Sequence, residues 1–152
     1  MIYLGIDPGT TRIGYGIMED DGRTLRALDW GILDSRGGAV GIAEELGGLI
    51  TRWHPDAAAV EKLFFLNNRK SAMAVSEMRG VLMLTLAQQH VPAHEFTPLQ
   101  VKQRVCGNGR ADKAQVERVV RLLLRIRTSI RPDDAADALA LAICCSTVHS
   151  RR

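Results

Sequence analysis

The chain of 152 residues is 46% apolar and 24% charged, with a formal net charge of +3, so it has material for one compact domain, 1–152, and no composition bias toward disorder, collagen or low complexity. No apolar run approaches the roughly 20 residues of a spanning helix, and MIYLGID follows no basic lead-in, which disfavours membrane insertion and secretion. Cys106, Cys144 and Cys145 offer neither a disulfide framework nor a Cys-x-x-Cys pair, so a reducing, cytoplasmic setting is expected, with all three thiols in core or neutral positions.

The apolar run Ile2 to Ile6, closed by Asp7-Pro8-Gly9-Thr10-Thr11 and followed by Ile13 to Met18, predicts a buried strand, a tight turn and a second strand. Asp20-Asp21-Gly22 is a hairpin signal, and Leu25 to Leu33 supplies a third strand of a meander. The period then becomes helical from Val40 to Trp53, breaks at Pro55-Asp56, and returns as a short strand, Ala57 to Val60, ending at Glu61. A long helix is predicted from about Asn68 to His90, with an apolar face from Ala72 to Leu86 broader than a one-sided helix needs and with Gly80 permitting close approach, a face suited to a second subunit. A fifth strand (Val91 to Phe96), a short helix (Pro98 to Val105), a Gly-containing loop (Cys106 to Arg110), a basic helix (Asp112 to Ile126) and a last helix (about Asp133 to Thr147) complete the chain. Strands first in a meander and then alternating with helices imply an α/β domain with a mixed sheet.

Between Gln100 and Arg131 nine basic residues stand against two acidic ones, a local balance of +7 that leaves −4 for the rest. A polyanion such as nucleic acid suits that segment; a solvated helix face explains it equally well. Arg118, Arg121 and Arg125 fall on one helical face and read either way.

Asp7 and Glu61 each follow an apolar strand directly, where ligand sites of open α/β sheets gather. Alone, Asp7 is equally a turn former before Pro-Gly. The last helix, apolar nearly all round, opens with Asp134 and Asp137, which share a face at i and i+3. Acidic residues in a first turn often serve only as dipole complements, but Asp137 lies a turn further in, with no Lys or Arg following within the helix. A metal ion is one economical partner, and the small Ala residues beside both carboxylates leave room for something bulky. Four carboxylates without His or Cys suit Mg²⁺ or Mn²⁺ rather than zinc, and two such ions clamp attacking and leaving oxygens in phosphodiester hydrolysis. Lys113 opens a helix after Asp112, a candidate cap, where backbone N–H groups and the lysine could meet a phosphate together.

These residues also carry a resemblance. Gly5-Ile6-Asp7-Pro8-Gly9, Glu61-Lys62-Leu63-Phe64-Phe65 with Asn68 and Arg79-Gly80, Gln100-Val101-Lys102, Gly107-Asn108-Gly109 with Lys113-Ala114-Gln115-Val116, and Asp134-Ala135-Ala136-Asp137-Ala138-Leu139-Ala140 resemble, in order, the RuvC family of Holliday junction resolvases. The resemblance implies an RNase H-like mixed five-stranded sheet with helices on both faces, a homodimer, and Mg²⁺-dependent (or Mn²⁺-dependent) symmetric nicking of two like-polarity strands of a four-way DNA junction, with two ions per active site. It makes Asp7, Glu61, Asp134 and Asp137 the metal-binding catalytic set. Lys102 and Lys113 become the basic residues near the scissile phosphate and backbone, and Phe64 the aromatic that perturbs stacking at the crossover. Arg110, in the loop, and Arg118 are further DNA-binding candidates. A branch-migration complex of the RuvA and RuvB type is the implied partner. The alternatives are a YqgF-like nuclease on structured RNA, a nucleotide-binding module of the actin and sugar-kinase type suggested by Asp7-Pro8-Gly9-Thr10-Thr11, and a module that binds junctions without cutting them.

Overall fold

The computed structural model describes residues 1–9, 12–34, 36–62 and 69–149. Strands β1 (Ile2–Pro8), β2 (Ile13–Asp20) and β3 (Leu25–Leu33) form the expected antiparallel meander, and β4 (Ala57–Glu61) and β5 (Ala93–Phe96) extend it in parallel, in the order β3-β2-β1-β4-β5. Helices α1 (Gly38–Trp53) and α2 (Arg69–Gln88) cover one face, and α3 (Pro98–Cys106), α4 (Lys113–Leu123) and α5 (Asp133–His149) the other. The expected mixed five-stranded sheet with helices on both faces is thus observed. Element boundaries differ from the expected ones by a few residues. The largest shift is at the basic helix, which stops at Leu123 because Leu124 caps it and Arg125 adopts a left-handed φ of 56°.

Side chains alternate across a strand, and this alternation assigns each carboxylate its face. Leu4, Ile6, Ala58 and Val60 pack toward α1 and α2, whereas Tyr3, Ala57 and Ala59 pack toward α5. Asp7 shares its parity with Tyr3, and Glu61 with Ala57 and Ala59. Both therefore emerge on the α5 face, one residue beyond the Ile6–Val60 pair of the parallel β1–β4 ladder.

α5 lies directly on the sheet backbone. A Cβ added to Gly5 would sit 1.8 Å from the Ala138 carbonyl oxygen, and one added to Gly14 would sit 2.2 Å from that of Asp134. The small residues of α5 therefore make room for the sheet itself, because Ala135, Ala138 and Ala142 are wholly buried. The bulky neighbour expected beside the two carboxylates is β1 and β2. Gly5→Ala is expected to destabilise the fold by about 2–3 kcal/mol, since backbone rather than a flexible side chain must give way. Denaturant titration checks this, and an unchanged midpoint would show that the helix can lift off at little cost.

The other face is padded by side chains: Ile42, Leu46 and Ile50 of α1 and Val75, Leu82 and Leu86 of α2. On α2, Met73 (65%) and Leu84 (60%) remain exposed beyond that core. Among the described residues no helix is long and apolar enough to cross a membrane.

Candidate active site

Four carboxylates are brought to one end of the sheet by three elements. Asp7 comes from the end of β1, Glu61 from the end of β4, and Asp134 and Asp137 from the first turns of α5. Asp7 is only 9% exposed, and Glu61, Asp134 and Asp137 are half-buried. Burial pushes the Asp7 carboxyl up to about 8, with the charges of Glu61, Asp137 and Asp134 adding to the rise and Lys113 opposing it. Glu61 is raised by burial and then by Asp137, and Asp137 is raised by burial against the pull of Lys113. Asp7, Glu61 and Asp137 are thus all raised first by burial and further by neighbouring carboxylates, as expected of like charges gathered at a partly dry edge.

The cation in this field is Lys113. Asp112 caps α4 in a reciprocal capping box with Gln115, which sets the first turn of the helix against the start of α5. From there Lys113 Nζ donates to Asp137 Oδ2 at 3.2 Å, and the Asp137 charge raises the lysine above its ordinary value. Asp137 therefore does have a protein partner, though not within its own helix. Arg12, which the sequence does not single out, places Nε 3.6 Å from Asp134 Oδ2. A basic residue just past the β1 turn was the available signal.

Four carboxylates against one lysine and one arginine make an oxygen-only cluster in which acidic groups outnumber basic ones, the chemistry that suits hard divalent cations.

The remaining candidates are more dispersed. Lys102 lies half-buried on α3, where its charge is felt at Cys106. Arg110 is exposed in the α3–α4 loop, its N–H donating to Asn108 Oδ1 at 2.9 Å, and Arg118 is exposed on α4. Arg118, Arg121 and Arg125 do not form the single face that spacing suggested. Arg125 lies past the helix end, and Arg121 turns back to donate to the Arg127 carbonyl at 2.7 Å. Leu63, Phe64, Phe65 and Asn68 lie outside the described residues.

The family model for crossover junction endodeoxyribonuclease RuvC matches residues 3–145. The chain belongs to the RuvC family. It is 45% identical over 150 residues to the crossover junction endodeoxyribonuclease RuvC of Petrotoga mobilis, covering 95% of this chain and 92% of that relative. It is 49% identical over 148 residues to the protein of that name from a Roseiflexus species, covering 93% and 88%. The fold matches Thermus thermophilus RuvC with a TM-score of 0.89 at 30% identity, covering 99% of this chain and 96% of that one. The same RuvC in complex with a Holliday junction substrate matches with a TM-score of 0.92 at 30% identity, over the same shares of the two chains. The architecture is accordingly the RNase H-like one of that RuvC.

Proposed function

We propose that this chain is a structure-selective endonuclease that resolves four-way DNA junctions by metal-dependent, symmetric nicking of two like-polarity strands. The observation that carries this reading is the convergence of Asp7, Glu61, Asp134 and Asp137 at one sheet end, in a chain of the RuvC family. Those carboxylates would hold the divalent cations, Mg²⁺ or Mn²⁺, as a two-ion centre of the kind that clamps attacking and leaving oxygens in phosphodiester hydrolysis. Bound there, the ions supply Lewis acidity toward the scissile phosphate and toward the attacking water.

The protein's own groups divide the remaining work. Asp7, the most buried of the four, anchors the cluster at the β1–β4 edge, and α5 presents Asp134 and Asp137 from a helix seated on the sheet backbone. Lys113 sits at the rim, its side chain 79% exposed, where it can leave Asp137 and meet the phosphate as negative charge develops. Lys102, Arg110 and Arg118 contribute backbone contacts, and Phe64 the contact at the crossover. Two like-polarity nicks call for two such centres, which a homodimer built on the exposed apolar residues of α2 provides. A single domain of 152 residues acting in the cytoplasm beside a branch-migration complex of the RuvA and RuvB type completes the reading.

End-labelled junction and matched linear duplex, incubated with Mg²⁺, with Mn²⁺ and with chelator, test it. Paired nicks on opposed strands of the junction alone, lost with chelator, are expected. A junction bound but uncut under either metal would replace the nuclease by a binding module, and cleavage of structured RNA instead would favour the YqgF-like alternative.

A further inference from the structure

At the end of α5 remote from the carboxylates, a second group of side chains converges that the nuclease reading does not use. Cys145 and His149 lie four residues apart and share a helix face. His94 meets them from β5, the edge strand of the sheet. One ligand atom from each of the three lies within 4.8 Å of the other two. The His94 and His149 rings meet edge-on with centroids 5.3 Å apart, and Tyr3 lies 5.6 Å from His149 on another side. Cys145 is fully buried and both histidines are half-buried, so a cation arriving from solvent meets two imidazoles with a thiol behind them. Asp134 and His149 are separated by about 22 Å of helix at 1.5 Å per residue, which places this group well away from the carboxylates.

We propose that His94, Cys145 and His149 form a zinc site that staples the edge strand β5 to the last turn of α5. One sulfur and two imidazole nitrogens suit Zn²⁺ and not the hard cations of the carboxylate site. Tetrahedral bonds of about 2.0–2.3 Å need donors about 3.3–3.7 Å apart, a tightening that side-chain torsions can deliver, with water in the fourth position. Desolvation lowers the His94 imidazole, which favours its neutral, ligating form. Burial holds the Cys145 thiol protonated in the absence of metal, so zinc replaces that proton on sulfur and releases it to solvent. Cys144 belongs to a different environment, its Sγ 4.0 Å from the Val101 carbonyl oxygen.

Titration of the purified full chain with Co²⁺ as a spectroscopic probe tests the assignment, because carboxylate-bound cobalt lacks the thiolate-to-metal charge-transfer band. One equivalent giving that band, displaced by Zn²⁺ but not by Mg²⁺, is expected. The band should vanish in Cys145→Ser, and His94→Asn or His149→Asn should weaken affinity by at least about tenfold. Zn²⁺ should raise Tm of the parent chain and leave that of His94→Asn unchanged. The absence of a charge-transfer band, its survival in Cys145→Ser, or its indifference to both histidine substitutions would overturn the site. If Cys145→Ser fails to fold, the two histidine variants decide the matter, since both side chains are partly at the surface.

Discussion

Asp7→Asn is expected to abolish nicking, leave junction binding largely intact, and make the metal-free protein more stable at pH 8. The first two outcomes follow from removing the most buried member of the carboxylate set without altering the basic surface. The third follows from proton linkage. The Asp7 carboxyl sits at about 8 in the folded chain against an ordinary value of 3.8, so the folded state holds its proton more tightly than the unfolded state. Its contribution to stability is greatest below about pH 4, declines as pH rises toward 8, and is then at its least favourable. Asparagine keeps the shape and removes the charge, so the variant should lose less stability over that window. A gain of about 1–3 kcal/mol at pH 8, several degrees in Tm, is the expected size once solvent relaxation is allowed for. Mg²⁺ should in turn stabilise the parent protein more than the variant. Thermal melts at pH 5 and pH 8, with and without Mg²⁺, check both points; an Asn variant less stable than its parent at pH 8 without metal would show that Asp7 is not held under repulsion, and retained turnover would remove it from the catalytic set.

Lys113→Ala is expected to slow single-turnover nicking by roughly 10²-fold while weakening junction binding much less. Lys113 is paired with Asp137 and opposes the rise of Asp7, Glu61 and Asp137. Its loss should therefore also carry the acid limb of the pH–rate profile to higher pH, because the remaining carboxylates give up their protons less readily. Lys113→Arg, which keeps the charge, should restore the limb more fully than the rate. A variant with parental rate and profile would reduce Lys113 to a surface partner of Asp137.

Much of this site was legible because strand ends and strand parity are local properties. Asp7 and Glu61 each close an apolar run, and once β1 and β4 pair in parallel, alternation puts them on one face. Asp134 and Asp137 stood out as polar residues on a helix with almost no polar surface. What escaped was what depends on long-range approach. The Lys113–Asp137 pair joins residues 24 apart through the packing of α4 on α5, and no periodicity encodes it. The alanines beside the carboxylates suggested space for a ligand; only the positions of Gly5 and Gly14 beneath them reveal that the space is filled by backbone. The arginine row breaks because α4 ends a turn early, at Leu123, and Arg125 beyond it takes a left-handed φ that no side-chain pattern announces. Core or neutral positions hold for all three cysteines, Cys144 and Cys145 buried and Cys106 half-buried, yet the neighbours of Cys145 come from a helix turn and from a strand about fifty residues upstream.

The two faces of the sheet differ in what a protein engineer could change. Against α1 and α2, leucine and isoleucine side chains meet one another, and such contacts can be repacked by compensating volume changes. Against α5, main chain meets main chain at Gly5 and Gly14, and no substitution elsewhere can restore that separation once a Cβ intrudes. Stabilising libraries should therefore be drawn from the buried side chains of α1 and α2, with the exposed apolar residues of α2, all of α5 and the glycines beneath it held constant.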